Sequence, residues 1–202
     1  MIKNIVFDIG NVLFDFKPKE YILKFGYDKK ISDFLEEIIF KSKFWIESDR
    51  GRYTIDNLRD ILTNENSEYS KQINEVLKPD WVKMHVIKPE SIEYLKYIKE
   101  KGYKVYLLSN ISKEAYEYIS SFEFFKIIDG GTYSYQINIC KPQKDIYLDL
   151  LGKYDLSANE TIFIDDNVNN IKTANNLGIH GIVFNELEQV KNEVELILNK
   201  NN

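Results

Sequence analysis

The feature that most constrains this chain is a set of short, β-rich apolar segments separated by stretches of helical period. Asn4 to Phe7, Lys104 to Leu108, Lys126 to Asp129, Thr161 to Ile164 and Gly181 to Phe184 each end at or just before polar or glycine-containing residues. Helical patterns cover Pro89 to Lys101, Ser112 to Ser121, Gln143 to Tyr154, Asn169 to Leu177 and Leu187 to Leu198. Strand and helix therefore alternate from about residue 86 onward, which predicts an α/β fold with a doubly wound parallel sheet.

Residues 17 to 85 break that alternation. Tyr21 to Phe25, Phe34 to Phe40, Ile55 to Leu62 and Ile73 to Leu77 carry apolar residues at helical spacing with no strand between them. The economical reading is an all-helical insertion after the first strand, so residues 1–16 plus 86–202 form the core domain and 17–85 a helical cap. A chain of 202 residues with 44% hydrophobic content can bury one substantial core and still carry such a module.

The formal charge is −5, with acids and bases interspersed. No nucleic-acid or membrane-surface partner is expected from such a pattern. The apolar runs stop well short of spanning length and the N-terminus lacks a signal-peptide core, so the expectation is a cytoplasmic protein. A single cysteine, Cys140, excludes an internal disulfide framework. With only His85 and His180 beside it, little material is left for zinc, and any metal must sit on oxygen ligands. There is no Gly-x-Ser-x-Gly turn and no Walker-type loop.

In an open parallel sheet, ligands collect beyond the carboxyl ends of the strands. There the chain places Asp8 after the first apolar run, Ser109-Asn110 after the second and Asp165-Asp166-Asn167 after the fourth, with Lys141-Pro142 opening the helix before it. Carboxylates at Asp8, Asp165 and Asp166 near one crevice repel each other unless a cation or protonation relieves them, and hard oxygen ligands suit Mg²⁺. Lys141 can neutralise a bound anion and Ser109 can donate to it, which makes the crevice fit for a phosphate.

Val6-Phe7-Asp8-Ile9-Gly10-Asn11-Val12-Leu13, Leu107-Leu108-Ser109-Asn110, Cys140-Lys141-Pro142 and Phe163-Ile164-Asp165-Asp166-Asn167 resemble the four ordered motifs of the haloacid dehalogenase superfamily. The resemblance covers about residues 1–16 and 86–184 and implies a Rossmann-like core, with the insertion where that superfamily carries its helical cap of the first type. It implies that Asp8 attacks phosphorus to form an aspartyl-phosphate, which water cleaves. It also implies that Mg²⁺ is held by Asp8, the Gly10 carbonyl and Asp165, with Asp166 ligating directly or through water. Ser109, Asn110 and Lys141 then contact the phosphoryl group, and Asn170 supports the metal loop.

One position departs from the pattern. Phosphatases of this superfamily usually carry a second aspartate two residues after the nucleophile, as acid and base, and here that residue is Gly10. Either a cap or flap carboxylate such as Asp15 or Glu47 substitutes, or the substrate has an easy leaving group, or turnover is weak or lost. An anomeric oxygen leaves more easily than an ordinary alcohol. Members with a similar Asp-x-Gly-Asn opening resemble glucose-1-phosphate phosphatases, so the expected substrate is a small phosphorylated metabolite such as a hexose 1-phosphate. The alternatives are a non-catalytic phosphate-binding or regulatory protein and a metal-free 2-haloacid dehalogenase. Within the cap, Trp45, Glu47 and Arg50 are candidates for substrate selection, because the segment Trp45 to Tyr53 ends in the turn-like Asp49-Arg50-Gly51-Arg52. Tyr133-Ser134-Tyr135 is expected as a β-arm leading toward Lys141, and both histidines as structural.

Overall fold

A computed structural model of the chain describes residues 1–200. The first strand, β1 (Asn4–Phe7), leads through a tight loop to β2 (Phe14–Phe16). A helical segment follows: α1 (Pro18–Leu23), α2 (Lys29–Leu35), α3 (Lys43–Asp49), α4 (Ile55–Glu65) and α5 (Ser70–Val76). The chain returns through β3 (His85–Ile87) into α6 (Pro89–Glu100), β4 (Lys104–Ser109), α7 (Lys113–Ser120), β5 (Gly130–Tyr133) and α8 (Ser134–Ile137). It ends with α9 (Lys144–Lys153), β6 (Thr161–Asp165), α10 (Val168–Asn176), β7 (His180–Val183) and α11 (Leu187–Lys200). Among the described residues no helix is long and apolar enough to cross a membrane.

Five strands form a parallel sheet in the order β5-β4-β1-β6-β7. Successive side chains of a strand point to opposite faces. Ile5 and Phe7 join Leu107 and Ile164 in one buried cluster, and Val6 joins Leu108 and Phe163 in another. Burial on both faces is why these strands read as unbroken apolar runs. Phe7 pairs with Leu107 on one side and Ile164 on the other, so the residues that follow each strand emerge at one level. The chain reverses direction across the sheet at β1, and the crevice opens there.

Two local expectations are corrected and one pairing is added. The third core strand is Gly130–Tyr133, not Lys126 to Asp129, and Glu123–Ile127 forms a 3-10 turn instead. Glycines look unsuited to a strand, yet a Cβ at Gly130 would lie 2.3 Å from the Tyr154 ring and one at Gly131 2.8 Å from the Leu107 carbonyl. Tyr154 Oη also accepts from Gly131 N at 2.9 Å. Tyr133-Ser134-Tyr135 is no β-arm, because the strand stops at Tyr133 and α8 begins at Ser134. Finally, β2 and β3 pair antiparallel, Phe14 with Ile87 and Phe16 with His85, at the point where the helical segment leaves and rejoins the core. Each is too short to announce itself by alternation.

Helix α3 begins where Ser42 Oγ caps Trp45 N at 3.1 Å. Its buried face turns Trp45 edge-on to Trp81, with ring centroids 5.2 Å apart. Its far end is stapled to the core. Ser134 Oγ donates to the Asp49 carbonyl at 2.5 Å, and Asn138 Nδ2 donates to the Arg50 carbonyl at 2.6 Å. Gly51 sits at φ +73° with its missing Cβ only 2.5 Å from the Tyr135 carbonyl. Both its backbone conformation and its close approach require glycine. Gly51→Ala is expected to destabilise the protein by about 1–3 kcal/mol, read as a lower urea midpoint. An unchanged midpoint would mean the staple yields without cost.

Candidate active site

The loops after β1 and β6 run side by side because the two strands pair in register, and Asp8 N donates to the Ile164 carbonyl at 2.9 Å. This brings the Asp8 and Asp165 carboxylates onto one buried ammonium. Lys141 Nζ lies 2.8 Å from Asp8 Oδ1 and 2.7 Å from Asp165 Oδ2, and it donates to the Leu108 carbonyl at 2.8 Å. The Lys141 side chain is 1% exposed and that of Asp165 0%, so this pairing is shielded from water and from salt.

A ring of amides fixes the charged groups. Asn170 Nδ2 donates to both oxygens of Asp165, at 2.9 and 3.0 Å, and the Asn167 amide donates to Asp165 Oδ1 at 2.7 Å. Asn110 brackets the Lys141 backbone. Its Oδ1 accepts from Lys141 N at 2.7 Å and its Nδ2 donates to the Lys141 carbonyl at 3.0 Å. Asn11, at φ 56°, donates to Asp166 Oδ2 at 2.8 Å and accepts from Phe16 N at 3.1 Å. A short polar side chain tolerates that left-handed backbone better than most. Ser109 is buried, and its hydroxyl makes only a long 3.4 Å contact to the Asn110 carbonyl.

The electrostatics call for a further cation. Carboxylate oxygens of Asp8, Asp165 and Asp166 come within 4.8 Å of one another. Burial pushes the Asp8 carboxyl upward; Lys141 pulls it back, and Asp165 and Asp166 push it further up. Burial opposes the charge on Lys141, but Asp8 and Asp165 outweigh it and hold the ammonium above its ordinary range. One lysine facing three carboxylates leaves the cluster negative. An all-oxygen donor set with that charge fits Mg²⁺.

Above the crevice lies a cavity of about 270 Å³, lined by Asp8, Gly10, Ser109, Asn110, Lys141 and Asp166 from the core. Phe16, Trp45, Trp81 and His85 supply its aromatic wall. Of the cap candidates, Trp45 reaches the cavity, while Glu47 and Arg50 are not among its lining residues. Glu47 is gripped instead by Arg50 and Arg52, each at 2.6 Å. Burial raises its carboxyl, and the two arginines outweigh that and hold it below the usual range. Asp15 also lies outside the cavity lining and faces Lys17 at 3.4 Å and Lys88 at 3.8 Å. His85 is part of the wall, its Nδ1 at 2.9 Å from the Val82 carbonyl, and burial lowers its basicity.

Asp49, the last residue of α3, was not singled out by its sequence context, yet it lines this cavity. Burial pushes its carboxyl up to about 7, the Ser112 amide opposes that, and the charge on Asp8 adds to it. Only its place beside the Arg50-Gly51 turn hinted at an inward role.

Asn170 orients a candidate metal ligand without joining the carboxylate cluster. Asn170→Ala is expected to weaken Mg²⁺ binding about 10–100-fold, measured by calorimetry. Equal affinity would mean that Asp165 needs no such clamp.

Comparison with known proteins agrees with this arrangement. A D-ribitol-5-phosphate phosphatase from Bacteroides thetaiotaomicron is 27% identical over 98% of this chain and 100% of its own length. A sesquiterpene phosphatase from Aspergillus oryzae is 27% identical over 89% of the chain and 88% of its own length. A drimenol cyclase from Aspergillus calidoustus is 23% identical over 96% of the chain, which spans only 36% of that longer protein. Among solved structures, a HAD family enzyme from Bacteroides thetaiotaomicron in complex with magnesium and inorganic phosphate superposes with a TM-score of 0.72. It is 26% identical, and the match covers 91% of this chain and 94% of that one. A dehalogenase shares the fold at a TM-score of 0.71 and 19% identity, over 91% of this chain and 85% of its own. The family description that matches residues 2–178 is that of the haloacid dehalogenase-like hydrolases, and the chain belongs to that family.

Proposed function

We propose that this hydrolase is a Mg²⁺-dependent phosphomonoesterase working through an aspartyl-phosphate on Asp8, with a small sugar phosphate such as a hexose 1-phosphate as substrate. The observation that carries the reading is the convergence of Asp8, Lys141 and the Asp165-Asp166 pair on one crevice. An oxygen of Asp8 attacks phosphorus, the bond to the substrate alcohol breaks, and water then cleaves the aspartyl-phosphate to release inorganic phosphate. Lys141 holds the attacking carboxylate in place and offers positive charge to the transferring group. Ser109 and Asn110, which line the same cavity, donate to the phosphoryl oxygens.

Asp8, the Gly10 carbonyl, Asp165 and Asp166 are the groups that would hold Mg²⁺, which when bound screens the phosphate charge. Paired acids beside the nucleophile favour a phosphate substrate over a metal-free halide displacement. Mg²⁺ and phosphate in the related Bacteroides structure support the same reading.

The hexose 1-phosphate assignment draws on the leaving group, because an anomeric oxygen leaves more easily than an ordinary alcohol. Apart from its chain neighbours, nothing lies within 4 Å of where a Gly10 Cβ would be. Trp45 and Trp81, which line the cavity, supply apolar surface suited to the C–H groups of a sugar.

With Mg²⁺ present the protein is expected to hydrolyse p-nitrophenyl phosphate, and Asp8→Asn to reduce that rate to background. Persistent turnover in the variant would remove Asp8 from the role of nucleophile. In a panel of sugar phosphates, hexose 1-phosphates should give the higher kcat/KM. Equal or faster cleavage of 6-phosphates would overturn the substrate assignment.

A further inference from the structure

A phosphate ester of an ordinary alcohol leaves poorly without a proton, and Gly10 offers none. Resting on the phosphatase reading above, we propose that Asp49 of the cap is the acid–base catalyst of this site, protonating the departing alcohol oxygen and then activating the hydrolytic water.

Three lines of geometry lead there. The first is place. The carboxylates lining the cavity are Asp8, Asp166 and Asp49. Asp8 is the nucleophile, and Asp166 is tied to Asn11 within the acidic trio, which leaves Asp49. Asp8 follows β1 of the sheet while Asp49 ends the cap helix α3, so two separate elements bring their carboxylates to one cavity.

The second is environment. Arg50 and Arg52, the cations nearest Asp49 in the chain, both turn to Glu47. No ion pair to Asp49 occurs among the described residues. Partial enclosure without a cationic partner favours the protonated form, which is the form an acid must hold before the chemistry starts. The other titratable groups of the cavity are unsuited to the role. Lys141 is committed to Asp8 and Asp165, and His85 is driven toward its neutral form by burial.

The third is fixation. Ser134, itself fully buried, holds the Asp49 carbonyl, and it accepts from Ile111 N at 2.8 Å beside β4. Asn138 and the close approach of Gly51 to Tyr135 secure the next two residues. A cap residue is thereby held with the precision of a core residue.

The protons balance. As the Asp8 oxygen–phosphorus bond forms and the bond to the alcohol breaks, the Asp49 proton moves to the alcohol oxygen and leaves a carboxylate. That carboxylate then takes a proton from water as the water oxygen attacks phosphorus and the Asp8 oxygen departs. Asp49 ends neutral, ready for the next substrate.

The test is a series of p-nitrophenyl, phenyl and benzyl phosphates, similar in shape but with increasingly basic leaving groups. In Mg²⁺-loaded Asp49→Asn, kcat/KM for benzyl phosphate is expected to fall by about 10²–10⁴-fold, and for p-nitrophenyl phosphate by less than about tenfold. Because kcat/KM reports the first transfer to Asp8, it isolates the acid step. The Mg²⁺-induced rise in melting temperature should match that of the wild type, which separates a lost proton donor from a damaged metal site. Asp49→Ala serves if the amide variant does not fold. An equal loss across the series, or no loss, overturns the inference while leaving the phosphatase reading intact. No turnover of any ester by the wild type overturns both.

Discussion

The crevice depends on one buried cation. Carboxylate oxygens of Asp8, Asp165 and Asp166 lie within 4.8 Å of one another, a crowding that compensating charge or protonation relieves, and the Lys141 ammonium supplies part of that charge from inside the protein. Removing either partner from such a buried pair strands the other, which costs several kcal/mol, roughly 3–5 in measured cases. The amides of Asn170, Asn167 and Asn110 are best understood in that light. They hold the carboxylates and the lysine backbone in the single arrangement in which the charges offset one another. What stays negative faces the cavity, where an incoming cation completes the balance.

The parallel sheet makes this arrangement possible, and the cap encloses it. Pairing of β1 with both β4 and β6 delivers strand ends from distant parts of the chain to one level, which no local segment could do. The β2–β3 ribbon then brings the two ends of the helical insertion together over the same spot, so Phe16, Trp45, Trp81 and His85 close the cavity from above. Chemistry is thus divided. The core holds Asp8 and the buried charges, and the cap holds apolar walls and the Asp49 carboxyl.

The division also gives the glycine at position 10 a physical context. Apart from its chain neighbours, no atom lies within 4 Å of where its Cβ would be, so the position does not exclude a Cβ on steric grounds. Asp49, carried on a separate cap element, lines the same cavity as Asp8. It then depends on how the cap is seated, and the Ser134, Asn138 and Gly51 contacts do that seating.

Residue order alone sufficed for the parallel core, the helical insertion and the groups at the strand ends. Those rest on local regularities: apolar runs buried on both faces, helical spacing, and polar residues where a strand must stop. Order could not reveal β5, since Gly130 and Gly131 belong in a strand only because Tyr154 lies against them. Nor could it choose among the carboxylates of the cap and the flap before it. Glu47, Asp49 and Asp15 look alike along the chain, and only folding turns Glu47 to two arginines, leaves Asp15 facing Lys17 and Lys88, and sends Asp49 into the cavity. Which charges meet is set by distances between elements far apart in the chain, and those distances exist only once the sheet has formed and the cap has closed on it.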